Sequence, residues 1–179
     1  MSETVVLMLP GWQNSGPGHW QSQWEASQGY RRVEQHDWMR PLRGDWIARL
    51  EEVVQEAPGQ IVMCAHSLGC QLVAAWANLS RSVDRVKGAM LVAPGDTQQA
   101  PLSDLLASWR EPVLQALPFP STLVASTNDP YCRFERAGLF ASAWGSTFLS
   151  LGACGHINAE SGLGAWPQGQ ELLSALREQ

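Results

Sequence analysis

Strand-like apolar runs alternating with helical segments predict an α/β fold, a parallel sheet of roughly six strands with helices on both faces. Three observations carry this. Val5 to Leu9, Ile61 to Ala65 and Ala89 to Ala93 are continuous apolar runs of strand length, as strands buried on both faces require. Several segments between the runs repeat apolar residues at three- and four-residue spacing, the period of a helix. Pro-Gly pairs punctuate the strands, at Pro10-Gly11 and Pro94-Gly95 after two of them and at Pro58-Gly59 before a third. With 179 residues, one domain over 1–179 is expected, long enough to bury a full core.

Taken in order, Thr4 to Leu9 is the first strand, followed by a loop of Gly, Pro, Ser and Asn from Gly11 to Gly18. His19-Trp20 opens a helix that places Trp24 on the same face. Arg31 to Trp38 reads as a weaker strand, and Asp45 to Glu56 as a helix with Trp46, Ile47, Leu50, Val53 and Val54 inward. Ile61 onward is strand, and from Leu68 to Leu79 the pattern turns helical. Val86 to Ala93 is the next strand. Leu102 to Leu117 is expected to be helical with a break at Pro112, and the region from Gly95 to Phe119 occupies the usual site of a cap but is short. Ser121 to Ser126 is a strand ending at Thr127-Asn128-Asp129-Pro130, a turn signal. Phe134 to Trp144 reads as helix, Ser146 to Leu151 as strand, and a last helix lies within Gln168 to Leu176. No repeat, linker or low-complexity segment interrupts the series.

Composition narrows the function. Hydrophobic residues make up 45% and charged residues 16%, as in an ordinary globular protein. The net charge is −5, and no basic cluster or stripe stands out, so nucleic acid is not expected as a partner. Four cysteines show no C-x-x-C spacing; buried free thiols and a reducing cytoplasm are the expectation. No signal peptide is evident and no apolar run approaches a membrane span. Nine tryptophans are read mainly as helix-sheet packing, with some available to line a pocket.

The chemistry centres on Ala65-His66-Ser67-Leu68-Gly69. A serine at a strand-to-helix junction with small residues two positions either side is a nucleophile elbow, because the strained turn brings neighbouring chain very close. A serine hydroxyl needs an imidazole to accept its proton, and the imidazole needs a carboxylate to orient it. His156, in the small-residue loop after the last strand, is assigned as the base; His66 is expected to point to the other side of the turn and serve packing or hydrogen bonding. Asp129, after the penultimate strand, gives the order Ser, Asp, His, with Asp96 as competitor. The oxyanion would be held by the backbone N–H groups of Leu68 and Trp12. In a parallel sheet such sites form past the carboxyl ends of the strands, and these residues, with Gly11 and Pro94 to Asp96, fall there. No phosphate-binding glycine motif and no paired metal-ligand spacing is present, so neither cofactor nor metal is expected.

Pro10-Gly11-Trp12, Gly18-His19-Trp20 with Trp24, Ala65 to Gly69, Thr127 to Pro130 and Cys154-Gly155-His156-Ile157-Asn158 together span nearly the whole chain. In these segments it resembles the small single-domain α/β-hydrolases that include retinoblastoma-binding protein nine, a family of serine hydrolases. The resemblance implies a minimal six-stranded hydrolase core lacking the first antiparallel strands of larger relatives, with a triad of Ser67, Asp129 and His156. Ala65 departs from the family's usual glycine. The expected activity is hydrolysis of a small ester, thioester or amide through an acyl-serine, in a shallow, fairly open site. The alternatives are acyl transfer by the same triad, or a scaffold role with useful catalysis lost; no protein-binding motif is evident.

Overall fold

The structure is a computed structural model describing residues 4–179. Its sheet has six strands, all parallel: β1 (Val5–Leu9), β2 (Arg31–Arg32), β3 (Ile61–His66), β4 (Val86–Val92), β5 (Ser121–Ala125) and β6 (Thr147–Ser150), in the order β2-β1-β3-β4-β5-β6. Six α-helices connect or follow them: α1 (Trp20–Gln28), α2 (Arg43–Glu56), α3 (Leu68–Leu79), α4 (Leu102–Leu105), α5 (Phe134–Trp144) and α6 (Pro167–Arg177).

The pleat sends alternate residues of each strand into two apolar layers. Leu7, Leu9, Met63, Ala65, Leu91 and Leu123 pack under α2, α3 and α5. Val6, Met8, Val62, Cys64, Met90 and Val124 pack under α1 and α6. The first layer takes Trp46, Trp76, Trp109 and Trp144, and the second holds Trp20, Trp24 and Trp166 in mutual contact. Seven of the nine tryptophans are thus core packing, as expected.

Two expected elements come out differently. The strand expected from Arg31 to Trp38 pairs only over Arg31–Arg32. Beyond Val33, whose N–H still reaches Met8 O, the residues are Glu, Gln, His and Asp, with no apolar alternation to dock on the sheet edge. The helix expected from Leu102 to Leu117 stops at Leu105; a 3₁₀ turn, Ala107–Trp109, follows, and then irregular chain to Pro120. Tertiary anchors outweigh the helical pattern here: Trp109 Nε1 donates to Pro41 O and Arg43 Nη1 to Glu111 O. Pro112, Pro118 and Pro120 then prevent the helix from resuming. The last helix is one residue longer at each end than expected, with Pro167 at its first position, where the missing N–H costs nothing.

Candidate active site

Ser67 lies between β3 and α3 with φ 56° and ψ −120°, a conformation that a residue with a Cβ adopts only under constraint. Its N–H is tied to Val92 O of the neighbouring strand. Close approach of chain explains the small residues around it. A Cβ on Gly69 would overlap the Leu9 carbonyl oxygen. A Cβ on Gly11 would stand 2.9 Å from Ser67 Cβ and 3.0 Å from His66 O.

His156 reaches the elbow from the loop after β6. Ser67 Oγ and His156 Nε2 are 2.9 Å apart, and His156 Nδ1 is 2.9 Å from both carboxylate oxygens of Asp129. With Nε2 accepting from the serine hydroxyl, the ring's proton sits on Nδ1 and is donated to Asp129. The Asp129 side chain is 3% exposed and that of His156 10%. Asp129 also accepts the Tyr131 N–H at 2.9 Å, an Asx turn that fixes the carboxylate to its own loop. Asp96, the competitor, is turned elsewhere, towards Arg136 at 3.5 Å and the Gln98 N–H.

The His156 loop is held by side chains as well as backbone. Asn128 Oδ1 accepts from Gly155 N at 2.7 Å and from Ser126 Oγ, which in turn accepts from Cys154 N. Ser161 Oγ donates to Cys154 O. His66, expected across the turn, lies against this loop: its Nε2–H donates to His156 O at 2.8 Å and its ring centroid is 4.8 Å from that of His156. The expected packing and hydrogen bonding are present, made with the site's own loop. Burial, then the positive charge that His156 and His19 can carry, holds the His66 pKa well below the ordinary value; this ring is neutral. Its placement was available from parity, since His66 shares its face of β3 with Val62 and Cys64.

The loop after β1 supplies the far side. Among the described residues, Gln13 N–H donates to Trp38 O and Asn14 N–H to Gly11 O, while the N–H groups of Trp12 and Leu68 have no acceptor. Leu68 is the first residue of α3, where backbone donors are unpaired and the helix dipole favours negative charge. Arg32, which the sequence marked only as part of a weak strand, braces this loop through Asn14 Oδ1 and Ser15 O at 2.8 and 2.9 Å. The guanidinium is itself held by Glu25. A cavity of about 380 Å³ opens over the elbow, with Trp12, Ser67, Leu68 and His156 in its wall. Asp129 lies behind His156, and of the Pro94 to Asp96 segment only Gly95 reaches the cavity.

This fold, with a serine at its elbow, is that of a small α/β-hydrolase, and the comparisons agree. The model of the serine hydrolase family matches residues 6–175, and the chain belongs to that family of enzymes. No curated protein matches the chain significantly. Among solved structures, a YdeN-like hydrolase of Pectobacterium atrosepticum is 28% identical with a TM-score of 0.86, covering 98% of this chain and 91% of its own. The ydeN gene product of B. subtilis shares 16% identity and a TM-score of 0.80, over 99% of this chain and all of its own. An esterase of Thermogutta terrifontis shares 19% identity and a TM-score of 0.69, over 97% of this chain and 80% of its own. The last two, at this identity, are similar in fold alone.

Proposed function

We propose that this hydrolase cleaves a small ester, thioester or amide through an acyl-serine, with Ser67, His156 and Asp129 as its triad. The reading rests on one observation, the unbroken hydrogen-bonded line from Ser67 Oγ through both ring nitrogens of His156 to Asp129. Ser67 Oγ attacks the carbonyl carbon as its proton passes to His156 Nε2. The oxygen gains charge against the N–H groups of Trp12 and Leu68. Collapse breaks the bond to the leaving atom, which takes the proton from His156. Water then attacks the acyl-serine with His156 as base, releasing the acid and restoring the hydroxyl. Asp129 keeps the imidazole in the required tautomer and stabilises its charged form. Substrate and water suffice for this cycle, so no cofactor or metal enters it.

Four free cysteines, three of them buried, fit a reducing compartment, and the cytoplasm is the proposed location. Among the described residues, no helix is long and apolar enough to cross a membrane.

Labelling by a fluorophosphonate probe tests the triad. The native protein is expected to label covalently, and Ser67→Ala and His156→Ala to lose labelling and ester hydrolysis by about a thousandfold or more. A folded native protein that does not label overturns the reading.

A further inference from the structure

The His156 imidazole is aimed by hydrogen bonds at both ring nitrogens, Nε2 with Ser67 Oγ and Nδ1 with Asp129, all at 2.9 Å. Acylation removes the first of these. Once Ser67 carries an acyl group its oxygen has no proton to donate, yet the imidazole must still present Nε2 to the attacking water. Space for the ring to turn is at hand. His156 borders two hollows, the one over Ser67 of about 380 Å³ and a second of about 640 Å³ that runs past Cys154 and Ser161. Whatever else touches the ring then decides whether it keeps its direction. Two aromatic side chains do so. His66, backed by His19 at 4.7 Å, lies 4.8 Å away between ring centroids. Tyr131 lies 4.7 Å away with its plane at 61° to the imidazole, an edge-to-face contact of the kind that aromatic pairs favour.

Resting on the triad reading above, we infer that Tyr131 is a positioning residue for deacylation: its ring holds the His156 imidazole towards Ser67 after the serine's hydrogen bond is lost. Tyr131 is itself firmly placed. Its N–H donates to Asp129 Oδ1 and its carbonyl accepts the Asp96 N–H, both at 2.9 Å. The carbonyl of Pro130, one residue before, accepts from Gln99 Nε2 at 3.0 Å. None of these bonds uses the phenol. The side chain is half-buried, packs on the apolar layer under α2, α3 and α5, and borders both hollows beside His156. Truncating it therefore widens the space into which the imidazole can turn. His66 differs, because its Nε2–H holds the His156 carbonyl at 2.8 Å and so places the loop as well as touching the ring. During acylation the Ser67 hydrogen bond orients the imidazole, and the Tyr131 contact is redundant. During deacylation a water oxygen bonds to the acyl carbon while its proton passes to His156 Nε2. The bond from that carbon to Ser67 Oγ then breaks, and Nε2 returns the proton to Oγ as the acid leaves. Both transfers need Nε2 directed at the serine, and only Asp129 and the ring's neighbours keep it there.

Single-turnover reaction with p-nitrophenyl acetate separates the two steps. Release of p-nitrophenolate reports acylation, and loss of the acetyl mass from the protein reports deacylation. Tyr131→Ala is expected to slow deacylation about tenfold, the upper worth of an aromatic pair, while acylation and fluorophosphonate labelling stay within about twofold of native. Tyr131→Phe, which keeps the ring and loses only the hydroxyl, should restore the native rate of deacylation. Tyr131→Leu, which fills the same space without a ring, should slow deacylation too and carries the test if the alanine variant does not fold. Equal slowing of both steps, as general damage to the site would produce, overturns the role. So does deacylation unchanged in the alanine and leucine variants, a phenylalanine variant as slow as the alanine one, or a native acetyl-enzyme that never turns over. Failure here is separable from failure of the triad. Native protein that labels at Ser67, with variants that deacylate normally, removes the role of Tyr131 alone, whereas native protein that does not label removes the triad and this inference with it.

Discussion

Ser67 keeps its strained backbone because the chain around it leaves no side chain in the way. Gly69 is the tightest point, where an added Cβ would meet the Leu9 carbonyl, a backbone atom fixed by its sheet. Gly69→Ala is therefore expected to lower stability by about 3 kcal/mol, at the upper end of overpacking costs, read as a fall in the urea midpoint. Unchanged stability would mean that β1 can move. The position two before the serine is less constrained. Ala65 points into the layer under α2 and α3 and is fully buried there, so its methyl packs against the core and not the turn, which explains why alanine can stand for glycine. That much was legible, because spacing about a junction serine is a local property. The row of histidines was not. His19 caps α1, His66 ends β3 and His156 lies in the loop after β6, and only the fold makes them neighbours.

Elements are held to one another by a few polar side chains whose role periodicity does not reveal. Glu51, on the outer part of α2, accepts from Trp76 Nε1 at 2.7 Å, Ser80 Oγ and Ser82 Oγ, joining α2 to the end of α3. Burial alone would raise its pKa, but the donors Ser80, Ser82 and Trp76 outweigh it and hold the carboxyl below 4.5. A carboxylate with a lowered folded pKa stabilises the native state above its unfolded pKa, and the gain disappears as pH falls through the lowered value. Glu51→Gln should cost about 1–3 kcal/mol at neutral pH, and its stability should converge on that of the native protein in acid. Parallel curves for the two would rule out this role. The sequence marked α2 correctly from its apolar face, while the segment after β4 misled. Its spacing is helical, but the bonds from Trp109 to Pro41 O and from Arg43 to Glu111 O decide its path, and no local pattern carries those partners.

At the scale of the molecule, the parallel sheet collects at one edge the loops that sequence separates most widely. Buried runs of apolar residues made the sheet legible, since a strand covered on both faces has no polar alternative. What they could not convey is the cost of gathering histidines at that edge. His19 is buried, and that burial first, then the charges of His156 and Arg32, lowers its pKa from 6.5 to about 4. His66 is lowered too, chiefly by burial. A histidine with a lowered folded pKa binds fewer protons in the native than in the unfolded state, so its contribution is complete above pH 6.5 and lost as pH falls towards the folded value. Each such group should remove roughly 1.4 kcal/mol per pH unit within that window. Urea unfolding at pH 7, 6 and 5 should therefore show a native stability that declines steadily, and His19→Asn should decline less steeply because one of the two rings no longer titrates. If native and variant lose stability at the same rate, His19 is not held neutral by the fold.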